Sequence, residues 1–254
     1  MRRGKKGQSP RGLDGFQLKL IAIFCMVVDH VAWFFVPTPS VLSVGFWMHV
    51  MGRITFPVMA FMIAEGYRHT ANIRKYLLRL GVFALLCMLP YHMAFHGGRW
   101  SFASWWPNNI FITLFFGLLS LQLTRGKKDP LLRLFIVLLC SLGSALGDWG
   151  VVGVPMIYLF GRVEEPRRRV WVGVLGFVGL YLANHGLAYW QGNGFAVTRW
   201  AVLGALLSIP LLRAYNGRRG WARPFAKQMF YGFYPLHLLA LMAIRYIMTG
   251  MWVS

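Results

Sequence analysis

The fold class the sequence predicts is all-α: a polytopic transmembrane helical bundle of about nine spans. Three observations predict it. Of the 254 residues, 57% are hydrophobic, 16% aromatic and only 13% charged, whereas a water-facing surface carries about a quarter charged residues. The apolar residues come in blocks of helix length, as bilayer crossings of ~20 residues require. And 23 of the 27 Lys and Arg residues fall before the first block, on alternate connections between blocks or at the block ends that border them.

Gly, Pro and charged residues separate the blocks 17–36, 46–66, 76–96, 108–124, 131–147, 151–162, 170–190, 198–213 and 229–249, and each is read as a helix. The block 151–162 is short and follows the break Gly147-Asp148-Trp149-Gly150. It either spans fully or is a half-helix or re-entrant element, which a membrane tolerates where protein shields the backbone; the residues leave both open. The first run has no small-residue cleavage site behind its basic leader, so it is read as a retained helix and not a signal peptide.

Charge gives the orientation. One side holds Arg2, Arg3, Lys5, Lys6, Arg11 and Lys19, then Arg68, Arg74, Lys75 and Arg79, then Arg125, Lys127, Lys128 and Arg133. It continues with Arg162 and Arg167 to Arg169, and ends with Arg213, Arg218, Arg219, Arg223 and Lys227. Arg99 and Arg199 fall in loops on the other side, and Arg53 and Arg245 within spans. The positive-inside rule places the N-terminus in the cytoplasm and the C-terminus outside. Residues 1–16 are then a basic cytoplasmic segment and 17–254 a single transmembrane domain.

A net charge of +20 would suit nucleic acid, but that reading wants a basic patch, and here the charge is spread between apolar blocks. Nucleic acid is therefore excluded and lipid is the expected surroundings. Cys25, Cys87 and Cys140 are odd in number, lack CxxC spacing and sit in apolar segments, so they read as small buried hydrophobes. No metal is expected.

Ionisable groups at bilayer depth are costly unless paired, so each is a candidate for function. Of the seven acids, Glu164, Glu165 and Asp129 fall in cytoplasmic loops and Asp14 in the N-terminal stretch, where solvation suffices. Asp29 and His30, in VVDHVAWF, lie deeper: Asp29 is ~18 Å from the cytoplasmic end at a helical rise. Arg53 enters the second span from the opposite side and reaches a similar depth. An Asp29–Arg53 pair serves a reaction centre or simply locks two helices together; the residues leave both open. His30 can take a proton near neutral pH, as a general base must, or pack as a hydrogen-bonded core histidine.

Tyr234 and His237, three apart, share a helix face, to which Arg245 returns; Pro235 between them can kink the helix. That suits a cavity wall and equally a packing device. Asn109 opens the fourth span, where Asn is ordinarily a cap, and Asp148 closes the fifth. Lys19, Arg68, Arg74, Lys75 and Arg79 gather at the cytoplasmic ends of neighbouring spans. Such a set can hold the phosphates of a nucleotide-like donor, although orientation and anionic lipid demand the same charges.

The blocks LKLIAIFCMVVDHVAWFF, GRITFPVMAFMIAEGYRHTANIRKYLLRL, NNIFITLFFGLL, GDWGVVGVPMIYLF and FYGFYPLHLLAL, in that order over about residues 13–240, resemble the TraX family. That family is similar to the wider superfamily of membrane acyltransferases, and its named member acetylates the N-terminus of conjugative pilin. Trp149 stands where the family usually has Tyr. The resemblance implies an acetyltransferase of the bacterial inner membrane using cytoplasmic acetyl-CoA as co-substrate. Its acceptor would be an amine or hydroxyl at or beyond the membrane, on a pilin N-terminus, a glycan or a small molecule. It makes Asp29 and His30 the leading catalytic candidates with Arg53 beside them. It also matches Asn109, Asp148, Tyr234 and His237 to recurrent polar positions, read as a substrate and oxyanion pocket. The rival class is a transporter or lipid-translocating protein, where broken helices and midplane charges also occur; no inverted repeat is evident in the sequence. A third reading is a structural partner in pilus or secretion assembly, its buried charges acting as helix glue.

Overall fold

The computed structural model describes residues 12–96, 108–191, 197–221 and 224–250. Arg2, Arg3, Lys5, Lys6, Arg11, Arg99 and Arg223 lie outside them, with most of the basic segment 1–16. The described residues are helical with no strand among them. In order the helices are α1 (Gly15–Phe35), α2 (Val44–Gly52), α3 (Thr55–His69), α4 (Ile73–Leu86), α5 (Met88–His96) and α6 (Ile110–Leu123). They continue with α7 (Pro130–Ser144), α8 (Gly150–Arg162), α9 (Pro166–Trp190), a 3₁₀ helix (Val197–Leu207), α10 (Ser208–Arg213) and α11 (Pro224–Thr249).

Every expected block is a helical segment, but two are split by the same device. Pro57 is the third residue of α3 and Pro90 the third of α5. A proline cannot donate to the carbonyl four residues back and clashes with it, which breaks the expected spans at Arg53-Ile54 and at Cys87. The block 198–213 departs from expectation: it is a 3₁₀ helix followed by one short α-helix. Among the described residues, five helical stretches are long and apolar enough to cross a membrane: Gly15–Phe35, Val44–His69, Ile73–Phe95, Pro166–Leu187 and Met229–Thr249. The helices α6, α7 and α8 are shorter; α8, at 13 residues, reaches only about 20 Å. It lies inside the bundle against α3, α6, α7 and α9, where protein shelters a short segment's backbone.

The helices close into a ring around α3. Going round, α1 packs on α2, α2 on the 3₁₀ helix, that on α9, α9 on α8, α8 on α6, α6 on α4, α4 on α5, α5 on α11 and α11 on α1. Accordingly α3 buries Phe56, Val58, Ala60, Phe61, Ile63 and Ala64. Large apolar side chains such as Phe24, Leu85, Leu131, Leu142 and Ile247 point outward. An apolar exterior this extensive suits lipid, where small residues let helices approach closely. A Cβ on Gly204 would come within 1.9 Å of the Val50 carbonyl oxygen, so only glycine seats the 3₁₀ helix against α2.

Acids expected to be merely solvated have local work. Asp14 caps α1 in a capping box with Gln17, Asp129 caps α7 and Glu165 caps α9. The backbone N–H groups of Arg168 and Arg167 hold the exposed Glu165 carboxyl below its usual range, so this cap weakens as pH falls through that lowered value. Arg68 donates to the carbonyls of Phe160, Gly161 and Val163, each at 3.1 Å, and so closes the C-terminal end of α8.

Glu65 joins α3 to α9. Its Oε1 accepts from Arg169 Nη1 at 2.8 Å, with Arg68 at 3.9 Å and His69 at 3.7 Å from the carboxylate. Arg169 is only 6% exposed. Removing one partner of such a pair leaves an uncompensated buried charge, so Glu65→Gln is expected to cost roughly 3–5 kcal/mol. Thermal unfolding in detergent checks this; an unchanged midpoint would show the pair to be dispensable.

Candidate functional site

Toward the C-terminal end of α1, six segments surround one cavity of about 630 Å³. From α1 come Asp29, His30, Trp33 and Phe34, and from the α2–α3 junction Arg53. Tyr91 and Phe95 come from α5, Asp148 and Trp149 from the turn before α8, Tyr181 and His185 from α9, and Arg245 from α11.

Asp29 is buried and held from α2. Its Oδ1 lies 2.8 Å from His49 Nδ1 and its Oδ2 4.0 Å from Arg53 Nη1. Gly52 makes room for this: a Cβ there would stand 2.3 Å from the Asp29 Cβ and 2.5 Å from its Cγ and Oδ1. The expected Asp29–Arg53 neighbourhood is therefore present, but the nearer partner is His49. The Arg53 guanidinium also sits 5.4 Å over the Trp149 ring, which stacks on Phe56 at 4.8 Å. This cation–π contact holds the charge where Asp29 alone would not fix it.

Asp148 presents its carboxyl to the cavity, exposed there although the chain surrounds it. Tyr91 donates its hydroxyl to Asp148 Oδ1 at 3.1 Å. The turn is pinned from behind, since the Asn108 N–H donates to the Leu146 carbonyl at 2.9 Å. On the α1 side, His30 Nδ1 lies 2.6 Å from His237 Nε2, and His237 Nδ1 lies 2.9 Å from the Phe233 carbonyl oxygen.

Of the residues expected at the site, Asp29, His30, Arg53 and Asp148 line the cavity together. Tyr234 and His237 do not; they pack behind His30, the Tyr234 ring 6.4 Å and the His237 ring 4.9 Å from it. Asn109 is fully buried and away from the cavity, and its side chain is committed: Oδ1 accepts from the Phe111 N–H while Nδ2 donates to Ala84. It is the cap of α6. Sequence reasoning missed His49, Tyr91 and His185 as site residues. His49 had a usable signal, because it precedes Arg53 by one helical turn; Tyr91 and His185 had none.

A second cavity of about 490 Å³ opens at the N-terminal end of the same helix, lined by Lys19, Gly66, His69, Tyr76, Arg79, Tyr215, Arg219 and Tyr231 among others. Of the five basic residues expected to hold phosphates, Lys19 and Arg79 line it. Arg68 is turned to the α8 carbonyls, and Arg74 and Lys75 stay exposed on the first turn of α4. Arg219, read from sequence only as an orientation charge, takes part. Aromatic rings separate the two cavities. Tyr231 lies 4.8 Å from Phe83 and 5.8 Å from Phe111, Phe111 lies 5.4 Å from Tyr234, and Tyr234 abuts His30.

The fold and the site together define a class: a helical bundle with the length and apolarity for a membrane, enclosing a cavity walled by acids, histidines and arginines. Within that class the chain belongs to the TraX family, whose model, described as TraX protein, matches residues 14–245. The chain is also 30% identical over 253 residues to a "Probable fimbrial assembly protein FimC, serogroup H1" of Dichelobacter nodosus, covering 92% of this chain and 98% of that protein. No solved structure matches it.

Proposed function

We propose that the chain is an acetyltransferase of the bacterial inner membrane, moving an acetyl group from cytoplasmic acetyl-CoA to an amine or hydroxyl acceptor. The observation that carries this is the placement of a basic cavity and an acid–histidine cavity at opposite ends of α1. Lys19 and His30 are eleven residues apart, about 16 Å of helix. A donor whose phosphates rest against Lys19, Arg79 and Arg219 then extends its thioester along the α1–α11 seam, a path that requires the rings around Phe111 to move aside.

At the inner end His30 takes the proton from the acceptor nitrogen or oxygen as that atom attacks the thioester carbonyl carbon. Arg53 faces the oxyanion of the tetrahedral adduct, and Asp29 with His49 holds Arg53 in place. The C–S bond then breaks, the CoA thiolate takes the proton back from His30, and the acetylated acceptor leaves through the first cavity. Asp148, with its second oxygen free of any partner among the described residues, receives the acceptor's polar group.

The charge pattern supports nine crossings with the N-terminus cytoplasmic and residues 17–254 as one domain. At rises of about 2.0 and 1.5 Å per residue, the 3₁₀ helix and α10 together extend about 31 Å, enough for one of them. The name of the Dichelobacter relative and the family favour the N-terminus of a fimbrial subunit as acceptor. The test incubates the purified chain with radiolabelled acetyl-CoA and a pilin N-terminal peptide. Release of CoA thiol with label on the peptide is the expected result; an intact CoA pool beside an active transport signal in vesicles would overturn it.

A further inference from the structure

We infer that His237 is a positioning residue that fixes the tautomer of His30, leaving His30 Nε2 as the bare nitrogen that faces the cavity. The inference rests on the catalytic reading above, but its geometry stands alone. A carbonyl oxygen can only accept, so the 2.9 Å contact between His237 Nδ1 and the Phe233 carbonyl requires the proton on His237 Nδ1. In the neutral ring Nε2 then carries a lone pair. The 2.6 Å contact to His30 Nδ1 must therefore be a hydrogen bond donated by His30, and a neutral His30 has no proton left for Nε2.

The ring geometry agrees. The two imidazoles are inclined by 10° with centroids 4.9 Å apart, the arrangement of rings joined nitrogen to nitrogen in a common plane and not stacked face to face. His237 is itself clamped: Phe233 lies parallel to it at 5.2 Å and Tyr234 meets it edge-on at 5.6 Å. His30 Nε2 makes no hydrogen bond to a described residue, and its ring forms part of the cavity wall. It is thus open to the cavity that His30 lines.

The chemical consequence follows from which nitrogen is basic. In water a histidine ring exchanges tautomers freely, and only the form with a bare Nε2 accepts a proton on the cavity side. Anchoring the proton on Nδ1 keeps the base in its working form. It also gives the transient His30 imidazolium a neutral partner that accepts from Nδ1. Where a carboxylate often plays this part, here a second histidine passes the orientation on from a backbone carbonyl. Asp29, adjacent in sequence, is engaged instead with His49 and Arg53.

The test has two arms on the full chain in detergent. In the first, ¹⁵N-histidine spectra of the wild type and of His30→Gln identify the His30 nitrogens. Nδ1 is expected to be protonated and Nε2 bare, with that preference lost in His237→Leu. In the second, acetyl transfer is compared across His237→Leu and His237→Gln, the latter keeping an acceptor oxygen near the position of Nε2. His237→Leu is expected to lower kcat roughly 10²-fold with the KM for acetyl-CoA unchanged, and His237→Gln to recover all but about tenfold of it. A His30 tautomer that is unaltered in His237→Leu overturns the proposal, as does equal impairment of the two variants. If the wild type shows no acetyl transfer, the catalytic reading fails while the spectra still decide the tautomer.

Discussion

His30→Ala is expected to abolish acetyl transfer, lowering turnover roughly 10³-fold while insertion and thermal stability stay near those of the wild type. The magnitude is what a positioned general base supplies. The stability expectation comes from location: His30 lines a cavity, so truncating it enlarges a space already open and leaves no new void in the packed core. Its one hydrogen bond among the described residues is to His237, which keeps its Phe233 contact when His30 is removed. Initial rates of CoA thiol release, with melting in detergent as the control, check this. A variant that melts as the wild type does and turns over as fast would remove His30 from the chemistry.

Gly52→Ala should produce nearly as large a loss from a single added methyl. Its Cβ would overlap the Asp29 Cβ, Cγ and Oδ1 at 2.3–2.5 Å, and real atoms do not approach so closely. Either α1 and α2 part or Asp29 turns away from His49 and Arg53. Overpacking of this kind costs roughly 1–3 kcal/mol, and a displacement of the reacting groups by about 1 Å can cost on the order of 10² in rate. Gly179→Ala is the matched control, since a Cβ there meets nothing within 4 Å; it should be silent in both assays. Wild-type turnover in Gly52→Ala would show that the spacing of Asp29, His49 and Arg53 does not matter to the reaction.

The site is partly legible in the sequence, and what divides the legible part from the rest is physical. Depth along a helix is linear in residue number, so Asp29 and Arg53 could be placed at one level from opposite ends by counting rises. Rotation about neighbouring helices is not linear in anything the sequence prints. His49 therefore took the nearer place beside Asp29, and His237 met His30 across 207 residues of separation. Asn109 shows the opposite case: the resemblance matched it to the pocket, but the unsatisfied amides of α6 claim its side chain, as its place at a span's start suggested. The basic cluster divided for a similar reason. Arg68 lies within reach of the open carbonyls at the end of α8, whereas Arg79 and Lys19 line the second cavity.

The sequence by itself determined the all-helical architecture, the approximate limits of every apolar segment, the membership of the TraX family and the depth at which buried charges occur. Each of these follows from local composition, period or motif. Only the tertiary structure decided that two prolines split the second and third expected spans, that α3 is the axis of the ring, and which of the polar residues line each of the two cavities. It also decided that His237 serves His30 from behind. Those outcomes depend on which helix faces which, and that is settled by close packing between segments far apart in the chain, where a glycine such as Gly52 admits an approach and a bulkier residue forbids it.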